Sequence, residues 1–217
     1  LQEVNRIQAD AANPAGAAIT DQAGVLAARL SMEHVFRPVE QNGRRAFGLA
    51  VLSRFPIVAS RFQRLPQLYA NLNLKLRRRA ALETTIETPL GRLKLINTHL
   101  SVFRIERRLQ IHGLMRMGWI MPPPAGGPLV LCGDLNAGPA SYAYRELSAS
   151  LNDAAGPGIL NNGGPTATFP ARMPLLRIDH IFASEHFQPA QTRIGGTPLA
   201  RLASDHLPIC VTVRRSR

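Results

Sequence analysis

The alternation of apolar and polar residues predicts a chain built mainly from short β-strands. Residues 71–77 read NLNLKLR and alternate strictly, which is typical of a strand with one buried face. Residues 81–97 predict a hairpin, because two strand-like runs flank the turn signal Pro89-Leu90-Gly91. Asn42-Gly43 marks a second turn between two extended segments. Further strands are predicted at 129–132, 177–182 and 209–213.

Two helices interrupt this pattern. The first is predicted over 21–30, with Thr20 as its cap, and the second runs from 102 to about 121, with Ser101 as its cap and a proline run behind it. The second helix is expected to face the core with its apolar stripe, Val102, Ile105, Leu109 and Ile120. Many short strands with few long helices favour an α/β class of stacked sheets with helices outside.

Composition indicates one folded domain with an anionic partner. The 217 residues are 45% hydrophobic and 18% charged, without a linker or repeat, so a single domain over 1–217 is expected. The formal charge of +12 suits nucleic acid, lipid headgroups or a phosphorylated small molecule, and no obligate protein partner is evident. No apolar run has the length of a membrane span and no signal peptide is visible, so a cytoplasmic location is expected.

Polar residues gather where apolar strands end. A core strand does not need acids and histidines at its ends, and burying unpaired charge is expensive, so a shared cleft would explain them. Acids, an amide and histidines without thiolate clusters suit a hard divalent ion such as Mg²⁺ or Mn²⁺. Such a set suits water attack on a phosphate, whereas no G-x-S-x-G elbow supports a serine hydrolase. The segments are INTH at 96–99, GDLN at 133–136, RIDH at 177–180 and SDHLP at 204–208.

Each segment also has a purely local explanation. His99 could hydrogen-bond within a core, and Asp134 with Asn136 could form an Asx turn that closes a strand. The segment 204–206 could be a loop ended by a proline. The arginine runs 77–79 and 107–108 could be solvated surface.

Taken together, the motifs resemble those of a known family. In order, they resemble the signature motifs of the endonuclease/exonuclease/phosphatase superfamily, which includes pancreatic-type deoxyribonuclease, abasic-site endonucleases, neutral sphingomyelinases and inositol polyphosphate 5-phosphatases. The resemblance covers nearly the whole chain and implies a four-layer α/β sandwich, with two mixed β-sheets face to face and helices outside. The motifs are LQE at 1–3, NTHL at 97–100, GDLN at 133–136, RIDHIF at 177–182 and SDHLPI at 204–209.

The resemblance implies a metal site and a water-activating acid. Glu3 matches the metal-binding glutamate, and Asp205 lies beside the metal in related enzymes. Asp134 would orient or deprotonate the attacking water, and Asn136 would hydrogen-bond a phosphate oxygen. His99 falls where the family places a phosphate-contacting histidine or general acid.

A histidine–aspartate pair completes the implied machinery. His206 matches the histidine that is paired with an aspartate, here Asp179, and this partner would favour the protonated imidazole. Asn97, Arg78 and Arg107 are candidate substrate contacts. The cofactor expected is Mg²⁺ or Mn²⁺.

The motifs predict a reaction type better than a substrate. Aromatic residues make up 6% of the chain with Trp119 as the single tryptophan, and TFP before RIDHIF looks closer to bacterial sphingomyelinase-related hydrolases than to nucleases. We therefore expect a Mg²⁺-dependent hydrolase of small or lipid-derived phosphodiesters or phosphomonoesters. The alternatives are a nuclease and an inactive phosphate-binding module. The family also begins with a strand and a helix ahead of LQE, so the chain is expected to be an N-terminally incomplete form.

Overall fold

The computed structural model describes residues 1–7, 20–68, 77–120, 127–156 and 166–216. They form two compact units, Leu1–His99 and Leu100–Arg217. The predicted strand at 71–77 lies almost wholly outside the described residues, as does the predicted end of the second helix at 121–124. Strands predominate over helices in both units, which confirms the predicted α/β class.

The first unit contains a four-stranded sheet with the order β2-β1-β4-β3. Its strands are β1 (Val4–Ile7), β2 (Thr20–Asp21), β3 (Glu33–Asn42) and β4 (Arg45–Ser53). Asn42 pairs with Arg45 across a two-residue loop, and Gly43 adopts a positive φ of 56° there. The predicted Asn42-Gly43 turn is therefore confirmed, since glycine takes this conformation without strain.

Helix α1 (Gln22–Leu30) follows β2 directly. Its cap is Asp21, whose carboxylate accepts a hydrogen bond from the Gly24 amide at 2.9 Å. The prediction of Thr20 as the cap is wrong by one residue. Threonine and aspartate are both good caps, and pairing of Asp21 with Arg6 in β1 brings the aspartate to the helix start.

Three more strands complete the first unit. They are β5 (Ile57–Arg64), β6 (Ala80–Thr88) and β7 (Gly91–His99), with β6 in the middle. Thr88 pairs with Gly91, which confirms the predicted hairpin. The two sheets of this unit pack face to face around a core of Val39, Leu49, Val51, Ala80, Leu82 and Ile86.

The second unit is built from two antiparallel ladders. In the first, β10 (Asp179–Ala183) pairs with β8 (Leu129–Asp134) and β9 (Asn152–Asp153). The other ladder joins β11 (Phe187–Ile194) to β12 (Ile209–Arg215). The helices are α2 (Arg104–Arg116), α3 (Tyr142–Ser148) and α4 (Pro198–Ala203). Within the described ranges, no helix combines the length and the apolar character needed to cross a bilayer.

Helix α2 presents a different face to the core from the one predicted. Its buried residues are Glu106, Gln110, Ile111 and Leu114. The predicted stripe is instead exposed, with 57% of Val102, 62% of Ile105 and 38% of Leu109 accessible, whereas the buried Ile120 lies beyond the helix. Burial of the polar face is possible because Gln110 accepts a hydrogen bond from the Ser101 amide at 2.8 Å.

The start of α2 also differs from the prediction. Phe103 holds the cap position and makes no side-chain capping bond. Ser101 instead accepts a hydrogen bond from the Phe103 amide at 3.1 Å, which stabilises the turn ahead of the helix. The predicted Ser101 cap is therefore wrong by two residues.

Candidate active site

Two aspartates meet where neighbouring strands of the second unit end. Asp134 is the last residue of β8, Asp179 is the first of β10, and the two pair directly across the antiparallel ladder. Directly opposed residues project their side chains on the same face of a ladder. The register therefore brings the two carboxylates together, although 45 positions separate them in the sequence (179 minus 134).

His206 joins these aspartates from the segment between α4 and β12. Its Nδ1 lies 2.7 Å from Oδ2 of Asp179. The next residue, Leu207, is buried, and its amide donates to the Thr168 carbonyl at 2.8 Å, which anchors the segment. One potential ligand atom from each of Asp134, Asp179 and His206 lies within 4.8 Å of the other two. We call these residues, with Asn136, the aspartate–histidine group.

The aspartates raise the pKa of His206. The main cause is the hydrogen bond to Asp179; burial opposes the shift, and the negative charges of Asp179, Asp134 and Asp205 reinforce it. The ordinary histidine pKa is about 6.5, so the shift increases the imidazolium fraction at neutral pH. A protonated His206 donates from both ring nitrogens, and only one of these donors is used by Asp179.

Asn136 holds the Asp134 carboxylate. Its backbone amide donates to Oδ1 of Asp134 at 2.7 Å, and its side-chain Nδ2 lies 3.2 Å from Oδ2 and 2.9 Å from the Leu100 carbonyl. Asn136 adopts a left-handed φ of 48°, which asparagine tolerates well. The Asx turn considered as a local alternative is therefore present, and it lies within the candidate site.

Arg107 lies within electrostatic reach of the group. Its guanidinium donates to the carbonyls of Ser101 at 2.9 Å and Val102 at 2.8 Å. Burial lowers the pKa of Arg107, and the negative charge of Asp134 opposes that shift. A fixed, half-buried cation differs from the simply solvated arginine considered as the alternative.

Asp205 lies apart from the three-residue cluster. Asp205 is exposed, and its backbone carbonyl accepts a hydrogen bond from the Ala171 amide at 2.6 Å. Its charge acts on the neighbouring His206 by raising the pKa of that imidazole. Its assignment as a metal ligand stays a prediction.

The first unit contains a second set of predicted residues, which we call the glutamate–histidine group: Glu3, Arg79 and His99. Oε1 of Glu3 lies 3.9 Å from Nδ1 of His99, and Nη1 of Arg79 lies 2.6 Å from Nε2 of His99. Because arginine can only donate, Nε2 must accept, and the imidazole proton is assigned to Nδ1, which faces Glu3. Glu3 adopts a left-handed φ of 55° and keeps 53% of its side chain exposed.

Asn97 positions this group and does not face solvent. It is fully buried, and its Nδ2 donates to the carbonyls of Leu1 at 2.8 Å and Ala50 at 3.1 Å. Its Oδ1 accepts from the Gln2 side chain. The amide thus fixes the backbone ahead of Glu3, which replaces the predicted substrate contact by Asn97.

The arginine beside His99 is Arg79, whereas Arg78, the candidate substrate contact, stays a prediction. Arg78 is exposed, and its backbone amide donates to Glu40 at 2.6 Å. The sequence contained a signal for Arg79: a two-residue loop at Pro89-Leu90 pairs Ala80 with His99, which leaves Arg79 next to the histidine. The hairpin is predictable from its turn, and its register places Arg79 one position before the partner of His99.

Two further residues near His206 were not predicted. The Phe169 ring lies 4.9 Å from the His206 ring, measured between centroids. The Thr168 hydroxyl is 3.4 Å from the amides of both Ile178 and Asp179. The TFP stretch at 168–170 thus packs against the histidine through Phe169.

Comparisons with known proteins identify a family that matches most of the chain. The model of the Endonuclease/Exonuclease/phosphatase family matches residues 1–206. A relative from Escherichia coli (strain K12), named uncharacterized protein YbhP, is 29% identical over 174 residues. That match covers 76% of this chain and 62% of the relative, so the chain spans less than two thirds of the curated relatives it matches.

Solved structures share the fold. An endonuclease/exonuclease/phosphatase from Beutenbergia cavernae has a TM-score of 0.70 at 23% identity, covering 99% of this chain and 61% of that chain. The human Nocturnin catalytic domain with bound sulfate gives 0.70 at 24% identity, covering 90% and 77% respectively. A Bacteroides thetaiotaomicron mannosyl-6-phosphatase gives 0.71 at 16% identity, covering 89% and 81%. These likenesses show the fold, the predicted α/β sandwich. Because the family model spans most of its length, the chain belongs to the endonuclease/exonuclease/phosphatase family.

Proposed function

We propose that this protein hydrolyses phosphoester bonds and that the aspartate–histidine group carries out the chemistry. One observation carries the proposal: Asp134, Asp179 and His206 offer ligand atoms within 4.8 Å of one another, and His206 is hydrogen-bonded to Asp179 at 2.7 Å. Family membership supports the same reaction type.

In this proposal, the acid and the imidazolium have complementary roles. Asp134 accepts a proton from the attacking water, and Asn136 keeps its carboxylate in place. His206, kept protonated by Asp179, donates to the phosphate oxygens as negative charge develops on them. Arg107 adds a fixed positive charge near Asp134.

The chemistry of the donors fits a hard divalent ion. Asp134 and Asp179 supply carboxylate oxygens beside His206, and this is the ligand type that Mg²⁺ and Mn²⁺ prefer. Nδ1 of His206 is already engaged by Asp179, so the carboxylates are the better ligands. We propose Asp205 as one ligand and, on its motif match, Glu3 as another. A bound ion would neutralise charge on the phosphate and on the leaving oxygen.

The glutamate–histidine group is proposed to contact phosphate. With Nε2 occupied by Arg79, His99 carries its proton on Nδ1, and the arginine is a cation suited to phosphate. His99 therefore acts as a donor in this proposal, either to a phosphate oxygen or to the leaving group.

We propose a small or lipid-derived phosphoester as the substrate. Base stacking requires exposed aromatic platforms, and the single tryptophan, Trp119, is only 5% exposed. A nuclease is the second candidate, and the formal charge of +12 favours it.

A substrate panel tests the proposal. Bis-p-nitrophenyl phosphate, p-nitrophenyl phosphate, phospholipid headgroup esters and supercoiled plasmid would be assayed with Mg²⁺ and with Mn²⁺. Asp134→Asn should abolish turnover, whereas Glu185→Gln, an exposed acid in the same unit, should behave like the wild type. Metal-dependent plasmid nicking that Asp134→Asn abolishes would favour the nuclease. Phosphate binding without turnover on any substrate would indicate an inactive binding module.

A further inference from the structure

Five large apolar side chains are exposed in two segments of the second unit. Met173, Leu175 and Leu176 are 64%, 68% and 54% exposed, and Leu199 and Leu202 of α4 are 76% and 77% exposed. We call these five residues the Leu/Met surface. Single exposed apolar residues are ordinary, but a group of this size usually marks an interaction site.

The two segments are fixed to each other. The Arg201 guanidinium in α4 donates to the carbonyls of Ala171 and Arg172. Ala200 packs on the buried Ala171 and Leu207, whereas the leucines of α4 remain exposed. The Leu/Met surface is therefore held by backbone contacts and a small core.

The Leu/Met surface lies beside the aspartate–histidine group. Phe169 bridges to Leu176 as an isolated β-pair, and the Phe169 ring packs against His206 at 4.9 Å. On the other side, α4 ends at Ala203, three residues before His206. A binding partner that touches the Leu/Met surface would therefore also approach the aspartate–histidine group.

The charge of these segments is positive. Arg172 is exposed and Arg201 is half-buried, while residues 166–177 and 195–204 contain no acid and the exposed Asp205 follows the second segment directly. This combination of protruding leucines with two arginines and one exposed acid at its border is complementary to an anionic surface that has an apolar interior.

A second segment also combines exposed apolar side chains with arginines. Val102 and Phe103 are 57% and 37% exposed and follow Leu100, whose amide donates to the Asp134 carbonyl at 2.9 Å. Arg104 and Arg108 are exposed beside them, and Glu106, the only acid in residues 100–120, is 3% exposed. Both flanks of the aspartate–histidine group thus combine exposed apolar side chains with arginine.

We infer that the protein binds the surface of a bilayer containing anionic phospholipids through the Leu/Met surface. The leucines and methionine enter the headgroup region, and Arg172 binds lipid phosphates. The five side chains of the Leu/Met surface protrude from a turn and a six-residue helix. A bilayer can accommodate such protruding side chains because its surface is deformable. Binding does not require turnover; only the further idea that the substrate is carried by lipid depends on the proposed function.

Vesicle binding tests the inference directly. The full chain would be sedimented with phosphatidylcholine vesicles, with and without phosphatidylglycerol. We expect Leu199→Gln/Leu202→Gln to weaken partitioning into the mixed vesicles by about tenfold or more, and Arg172→Gln by about fivefold. The matched control is Leu30→Gln/Leu90→Gln in the first unit, where the leucines are 51% and 58% exposed. It should bind like the wild type.

Other results would overturn the inference. These are absence of wild-type binding, equal loss in both double variants, or a dimer in analytical ultracentrifugation that Leu199→Gln/Leu202→Gln dissociates. Leu199→Trp provides a second, spectroscopic test. The fluorescence of the new tryptophan should shift to the blue when vesicles are added, and the absence of a shift would contradict insertion of α4 into the headgroup region. His206→Ala should bind normally, so loss of turnover and loss of binding are distinguishable.

Discussion

The Asp179–His206 pair allows a quantitative prediction. Asp179→Asn preserves the shape of the side chain and removes its charge, so the charge-assisted bond at 2.7 Å becomes a neutral one. Bonds to charged groups contribute about 1.5–3 kcal/mol and neutral bonds about 0.5–1.5 kcal/mol. The loss of about 1–1.5 kcal/mol should lower turnover by about 5- to 13-fold, and the pKa of His206 should fall because its charged partner is gone.

The pH dependence follows from the direction of the shift. Because Asp179 raises the pKa of His206 in the folded state, the pair stabilises the fold fully below the unfolded pKa of about 6.5. This stabilisation is lost as the pH rises through the higher, folded value. The stability gap between wild type and Asp179→Asn should therefore be largest in acid and shrink on the alkaline side.

NMR titration of the His206 ring, denaturant unfolding across pH and a pH profile of turnover would measure these effects together. The alkaline limb of the profile should move to lower pH in Asp179→Asn, whereas Glu185→Gln should leave it in place. An unchanged His206 pKa in Asp179→Asn, or a stability gap that does not vary with pH, would show that Asp179 does not control the charge of His206.

Three further predictions concern single interactions. Arg177→Met should destabilise the fold by about 3–5 kcal/mol in denaturant unfolding, because it removes the cationic partner of Asp153, whose side chain is only 9% exposed. A loss below about 1 kcal/mol, the size expected for an exposed ion pair, would contradict this. Asn136→Ala should lower the melting temperature more than Asn136→Gly, because alanine is strained at a φ of 48°, although both should lose activity. Glu3→Ala should raise the Mg²⁺ concentration needed for half-maximal turnover, and an unchanged metal dependence would remove Glu3 from the metal site.

Local signals predicted the parts of the fold that depend on neighbouring residues. The turns at Asn42-Gly43 and Pro89-Leu90 were predictable because glycine and proline restrict the backbone at the turn itself. The ends of β8 and β10 were marked by abrupt changes from apolar to acidic residues. The meeting of Asp134 and Asp179 was expected from the motifs, but their direct pairing depends on a register that no local pattern contains.

Tertiary contacts decided what local patterns could not. The apolar stripe on α2 suggested a buried face, but the core accepts the side with Gln110 and Leu114 because the glutamine is hydrogen-bonded. Asn97 was predicted to contact substrate because it lies in a motif. In the structure, its side-chain amide donates hydrogen bonds to the carbonyls of Leu1 and Ala50. Short elements such as α3 and α4 lack the long periodicity that a sequence pattern needs.

His206, oriented by Asp179, is proposed to act directly in phosphoester hydrolysis. The decisive measurement compares the turnover of wild type and His206→Ala on the best substrate of the panel, with Mg²⁺ at saturation. We expect His206→Ala to lose about a hundredfold or more in turnover, the range for removal of an acid–base or electrostatic group. A loss of less than about tenfold in a folded variant would contradict it.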